Sequence, residues 1–119
     1  MINVDTHILV FALTGEVTDR ERRILASNTW SVSAIVLWEL AKLAQPGRID
    51  IDLDDADLTR TLSSIHVWPI DLAVSIQSTR LDFKSDPADE LIAATSIVHQ
   101  IPLITRERRI RGSRLVKFA

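Results

Sequence analysis

Four carboxylates are set apart by the residues around them. Asp5 ends the apolar run INV, Glu39 interrupts AIVLWELAKLA, Asp89 follows Asp86 by three places in DPADELIAATS, and Glu107 lies in LITRERRI. Each has a plain structural reading. Asp5 can cap the helix after it, and Glu39 can rotate to solvent. Asp89 falls at N3 of a helix capped by Asp86, with Pro87 in the first helical position, where a carboxylate suits the helix dipole. Glu107 can balance the arginines beside it. Brought to one place, the four have a second reading. Crowded carboxylates raise one another's pKa unless a cation neutralises them. Hard oxygen ligands of this kind suit Mg²⁺ or Mn²⁺, which keep several waters and engage a substrate phosphate. Such a site can activate a water and stabilise the leaving oxygen in phosphodiester hydrolysis.

The elements that must position these acids alternate along the chain. INVD reads as a short strand and residues 6–13 as an apolar helix. The polar run GEVTDRERR opens a second helix ending near Ser27. TWSVS is the next strand, and Ser33 can cap the helix AIVLWELAKLA, stopped by Pro46 and Gly47. Helices over 54–64 and 71–81 flank the strand HVWPI, the Asp86 helix follows, and PLIT and RLVKF are the last strand candidates. Alternating β and α elements with short apolar strands predict an α/β fold whose mostly parallel sheet is covered on both faces. Such folds bind ligands beyond the carboxyl ends of the strands, near a topological switch point. Asp5 and the pair Arg106-Glu107 follow strands directly, and the first turns of neighbouring helices would bring Glu39 and Asp89 to the same rim.

The totals bound the class. With 119 residues, 46% hydrophobic and 25% charged, the chain fits one globular domain, residues 1–119. No apolar run approaches the ~20 residues of a membrane span. MINVDTH lacks the basic start of a secretory leader, which makes the cytoplasm the expected location. The absence of cysteine removes disulfides, thiolate metal sites and Cys nucleophiles. The net charge of −2 is divided unevenly. Residues 106–117 carry six basic side chains and one acidic, leaving eight basic and fifteen acidic in the other 107. A basic C-terminal strip on an acidic body is either a solvated face or a phosphate-contacting edge, with Arg106, Arg108, Arg109, Arg111 and Arg114 as the candidates.

Other chemistries find less support. His7, His66 and His99 share no metal-ligand spacing and read as structural. Trp30, Trp38 and Trp68 read as core or dimer-interface residues. Ser33 and Thr6 lack a partner base and read as caps or supporting groups. Asn3 stands where a D-x-D-x-T phosphatase needs its nucleophile, and TWSVS and HVWPI end in no phosphoacceptor aspartate.

INVDTHILVFAL, SVSAIVLWELAKL…GRI, DPADELIAATS and IPLITRERRI occur in the order and spacing of the PIN domain. Over nearly its whole length the chain resembles the small ribonuclease toxins of bacterial VapBC toxin–antitoxin modules. The resemblance implies a three-layer α/β/α sandwich and a Mg²⁺- or Mn²⁺-dependent endoribonuclease leaving 5′-phosphate and 3′-hydroxyl ends. It also implies a homodimer, higher toxin–antitoxin oligomers, and inhibition by a cognate VapB-like antitoxin peptide inserted near the site. Carried over by position, the catalytic and metal-holding acids are Asp5, Glu39, Asp89 and Glu107. Asp86 is then an auxiliary acid, and Thr6 and Thr105 occupy polar positions beside the acids. Two positions depart from the family pattern. Glu107 replaces the usual aspartate, moving the carboxylate by roughly 1.5 Å, and Lys84 stands where a histidine is frequent. The Glu107 change motivates a second reading, a PIN fold that binds RNA or antitoxin without cutting.

Overall fold

Four parallel strands make the centre of the fold in a computed structural model that describes residues 1–45 and 49–119. They are β1 (Ile2–Val4), β2 (Trp30–Ser33), β3 (His66–Trp68) and β4 (Leu103–Ile104). Helices α1 (Thr6–Thr14) and α2 (Asp19–Ala26) connect β1 to β2, and α3 (Ala34–Ala44) and α4 (Ala56–Ser63) connect β2 to β3. The chain then passes through α5 (Leu72–Ser78) and α6 (Pro87–His99) to β4, and ends beyond α7 (Arg108–Arg111). The Pro46-Gly47 stop expected for α3 lies outside the described residues.

The strand order is β3-β2-β1-β4. The chain steps outward in one direction from β1 to β3 and then crosses back to the far side of β1. The switch point is therefore the crevice between the carboxyl ends of β1 and β4. Asn3 pairs with Leu103 and Val4 with Ile104, so Asp5 and Thr105 leave the sheet side by side. Every residue of β1 is buried. Because successive strand side chains point to opposite faces, both faces of the sheet are covered, which is the α/β/α layering expected. Ile2, Val4, Val32 and Leu103 meet Ile8, Leu9, Val36, Leu40 and Ile92 from the helices in one core cluster. The buried Asn3 fastens β1 to α6, its Nδ2 donating to the Ile92 carbonyl (3.2 Å) and to Ser96 Oγ (3.0 Å).

Local chemistry accounts for most boundaries. Thr18 and Glu21 form a reciprocal capping box at the start of α2. Gly15 closes α1 in the left-handed conformation at φ 77°, donating to the Phe11 carbonyl. Two expectations change. The helix predicted over 71–81 ends at Ser78, because Thr79 and Arg80 donate to carbonyls three residues back and tighten the last turn. The predicted strand RLVKF is absent apart from one bridge, Leu103 to Phe118. Asp82 captures Ser113 Oγ (2.6 Å) and the Arg114 N–H (2.7 Å), and Ser113 Oγ accepts from Leu115 and Val116. These bonds bend the segment before it can pair as a strand. Those two hydrogen bonds also hold the exposed Asp82 carboxyl below the usual range.

Candidate active site

Asp5 caps α1 and is only 2% exposed. A carboxylate this buried needs partners. It accepts the Thr105 hydroxyl at Oδ2 and the His7 N–H at Oδ1 (3.3 Å), so the end of β4 and the start of α1 both grip it. Glu39 lies in the second turn of α3, where Thr6, the residue after Asp5, donates its hydroxyl to Oε1. Asp89 is N3 of α6, as the sequence predicts, and Ser85 Oγ donates to its Oδ2 at 2.7 Å. Glu107 caps α7, accepting the Arg109 N–H at 3.3 Å, while its own N–H donates to Thr105 Oγ1 (3.0 Å). Each of the four acids thus commits an oxygen to an internal hydrogen bond.

The electrostatics link them. Burial pushes the Asp89 carboxyl above its ordinary pKa; the Ser85 bond opposes this, and the like charges of Asp5, Glu107 and Glu39 add to it. All four acids are within electrostatic reach at the switch point. Among the described residues, no three Asp, Glu or His side chains converge tightly enough to hold one ion by themselves. This does not conflict with Mg²⁺ chemistry, because Mg²⁺ usually binds through one or two carboxylates and keeps several waters. The donors are all oxygen, and the repulsion felt at Asp89 is what a divalent cation would relieve. The residues fit such an ion.

Other predicted site residues separate into groups. Asp86 occupies the N-cap position of α6 with backbone angles suited to it, yet its side chain makes no capping bond and is exposed. Arg106 departs from its expected phosphate-contact role. Its guanidinium is bidentate on Glu21 (2.7 and 2.6 Å), donates to the Glu16 carbonyl and lies 4.2 Å over the Phe11 ring. The Arg106 bonds pull the Glu21 carboxyl down to about 2. Arg111 is also diverted, donating to the Thr105 carbonyl (3.2 Å) and covering the Phe118 ring. Arg108 and Arg109 are exposed on α7, one and two residues beyond Glu107. Lys84 is exposed beside Ser85.

The sequence alone does not mark Ser85 and Glu21 as site residues. The T-x-x-E spacing of residues 18–21 announces the capping box, but the partner of Glu21 lies 85 positions away. Ser85 stands four residues before Asp89, just outside the helix, and only the folded turn shows that its hydroxyl reaches inward.

A parallel sheet of this order with acids at its switch point defines an α/β fold of the kind that binds ligands beyond its strand ends, and comparison with known proteins narrows it. The family model for the PIN domain matches residues 2–112. The chain belongs to the PIN-domain family. It is 36% identical over 88 residues to "Ribonuclease VapC22" of Mycobacterium tuberculosis (strain ATCC 25618 / H37Rv), covering 71% of this chain and 67% of that protein. Solved structures share the fold. A toxin-antitoxin complex from Klebsiella pneumoniae matches with a TM-score of 0.77 at 21% identity, over 98% of this chain and 95% of that one. VapBC2 from Rickettsia felis, bound to a promoter DNA fragment, matches with a TM-score of 0.72 at 20% identity, over 100% and 98%.

Proposed function

We propose that this chain is a Mg²⁺- or Mn²⁺-dependent endoribonuclease and the toxin of a toxin–antitoxin module, acting in the cytoplasm and restrained by a VapB-like antitoxin. The observation that supports the reading is that Asp5 and Thr105 leave adjacent strands at the switch point, with Glu39, Asp89 and Glu107 near enough for Asp89 to feel the charge of the other acids. The name of the mycobacterial relative supports ribonuclease chemistry, and the toxin–antitoxin structural neighbours support an antitoxin partner.

In this reading Asp5 and Asp89 hold the principal ion, and Glu39 and Glu107 hold a second ion or its waters. A bound divalent ion supplies an activated water and charge neutralisation at the phosphate. The chain's own residues preorganise that chemistry. Thr105, Thr6 and Ser85 each fix one carboxylate oxygen, which orients the acid and leaves less of its freedom to be lost on binding. Arg108 and Arg109 face solvent beside Glu107 and contact the RNA backbone. Leu72 at 74% exposure, with Ile70 and Ile76, gives α5 and its approach an apolar surface next to edge strand β3, and this surface forms the homodimer. The test is cleavage of total cellular RNA with Mg²⁺, Mn²⁺ or EDTA, beside Asp5→Asn. Metal-dependent fragments missing from the variant are expected; equal patterns from both proteins would refute the reading.

A second reading, a PIN fold that binds RNA or antitoxin without cutting, is favoured by one observation. The longer Glu107 side chain turns back to cap its own helix. Under that reading the wild type is silent and Glu107→Asp restores turnover. Vigorous wild-type cleavage excludes it.

A further inference from the structure

Beside the acids lies a cavity of about 260 Å³ lined by Asp5, His7, Phe11, Arg106 and Glu107. It is small beside the ~300–1,000 Å³ of pockets for drug-sized ligands. Two of its walls are the proposed metal-site acids; the other three are planar groups. His7 and Phe11 are four residues apart on α1 and so share a helix face. Their ring centroids are 6.5 Å apart with a 41° tilt, toward the far end of the range at which two rings attract, so neither is closely stacked on the other. The imidazole is exposed. Arg106 stacks on Phe11 at 4.2 Å, and its charge is already answered by the two bonds to Glu21. The guanidinium therefore offers the cavity a fixed flat surface rather than a mobile cation.

Planar side chains beside a phosphate-chemistry site match the means by which single-stranded RNA bases are held, on aromatic rings and arginine planes. We infer that this cavity binds the nucleobase flanking the scissile phosphate, with His7 and Phe11 as the residues that determine base preference. The inference rests on the ribonuclease reading and assigns a substrate subsite within it. An antitoxin side chain is the competing occupant. It is less favoured because the three planar groups offer faces to stack on, while the two acids are assigned to the metal ion.

The experiment measures binding of a fluorescein-labelled single-stranded RNA to the full chain in EDTA at pH 8 over a range of salt concentrations. Wild type is compared with His7→Ala and Phe11→Leu. A parallel arm maps cut sites on a randomised RNA with Mn²⁺. Each variant is expected to lose about tenfold in affinity, the scale of one lost base stack. The dependence of affinity on salt should stay unchanged, whereas Arg108→Ala should flatten it. The base preference beside the cut should fall in both ring variants. His7 is exposed, so His7→Ala keeps the test valid if Phe11→Leu folds poorly. RNA affinity within twofold of wild type in His7→Ala overturns the inference, as does a base preference beside the cut that both ring variants keep. Absence of wild-type cleavage counts against the nuclease reading alone, because the EDTA arm still decides whether the cavity holds a base.

Discussion

At the residue scale, the candidate site consists of carboxylates held by hydroxyls from other elements: Thr105 on Asp5, Thr6 on Glu39 and Ser85 on Asp89. Such bonds stabilise the ionised acids but do not remove their mutual repulsion. Asp89 shows the remainder, with a carboxyl raised by burial and by three like charges. A raised acid destabilises the fold once pH exceeds its pKa, since ionisation is then less favourable than in the unfolded chain. Asp89→Asn is therefore expected to raise the Tm of the metal-free chain at neutral pH, by about 2–8 °C per kcal/mol of repulsion relieved. Adding Mn²⁺ should raise the wild-type Tm and leave the variant's unchanged. Differential scanning fluorimetry with and without Mn²⁺ reads both effects. A variant that melts lower in EDTA would place Asp89 among ordinary stabilising caps.

At the element scale, one feature ties down the rim and another closes a helix at the opposite end of the sheet. The Arg106–Glu21 pair ties the β4–α7 connection, which carries Thr105 and Glu107, to α2. Glu21 sits near pKa 2 against an ordinary 4.5. Its contribution is complete above about pH 4.5 and disappears as pH falls toward 2, because the unfolded chain takes up the proton first. Glu21→Gln should cost about 2 kcal/mol at pH 7, discounted for the partial exposure of Arg106. Denaturant titrations at pH 7 and pH 3 should show a smaller penalty at the lower pH. The other feature is the end of α6, where Gln100 takes the left-handed conformation at φ 54°. That conformation is costly for a residue with a Cβ, so Gln100→Gly should stabilise by about 1 kcal/mol. An unchanged or lower urea midpoint would contradict this.

At the scale of the whole molecule, the proposed dimer is tested at the exposed apolar residues of β3 and α5. Leu72, Ile70, Ile76 and Val67 are exposed in one stretch of chain, and β3 is an edge strand. Among the described residues, no helix is long and apolar enough to cross a membrane. Leu72→Glu is expected to convert a dimer to a monomer in light scattering, with little change in monomer stability because Leu72 is already exposed. A wild-type chain that is monomeric at micromolar concentration would remove the dimer from the proposal.

The sequence by itself determined the alternation of strands and helices, the position of Asp89 at N3 behind Asp86 and Pro87, and the acid that ends β1. These follow from rules spanning a few residues: capping, proline geometry and apolar runs. The PIN-domain membership was legible for the same reason, since its motifs are local. The tertiary structure decided what depends on distant partners. RLVKF has a strand's composition, but Asp82, more than thirty positions earlier, holds its start in a bend, and only Phe118 bridges to β4. Arg106 reads as a free cation until Glu21 is folded against it, and Ser85 reads as a linker residue until its turn closes onto Asp89. Which carboxylates share a field was set by the strand order, where the crossing back from β3 to β4 places Thr105 beside Asp5.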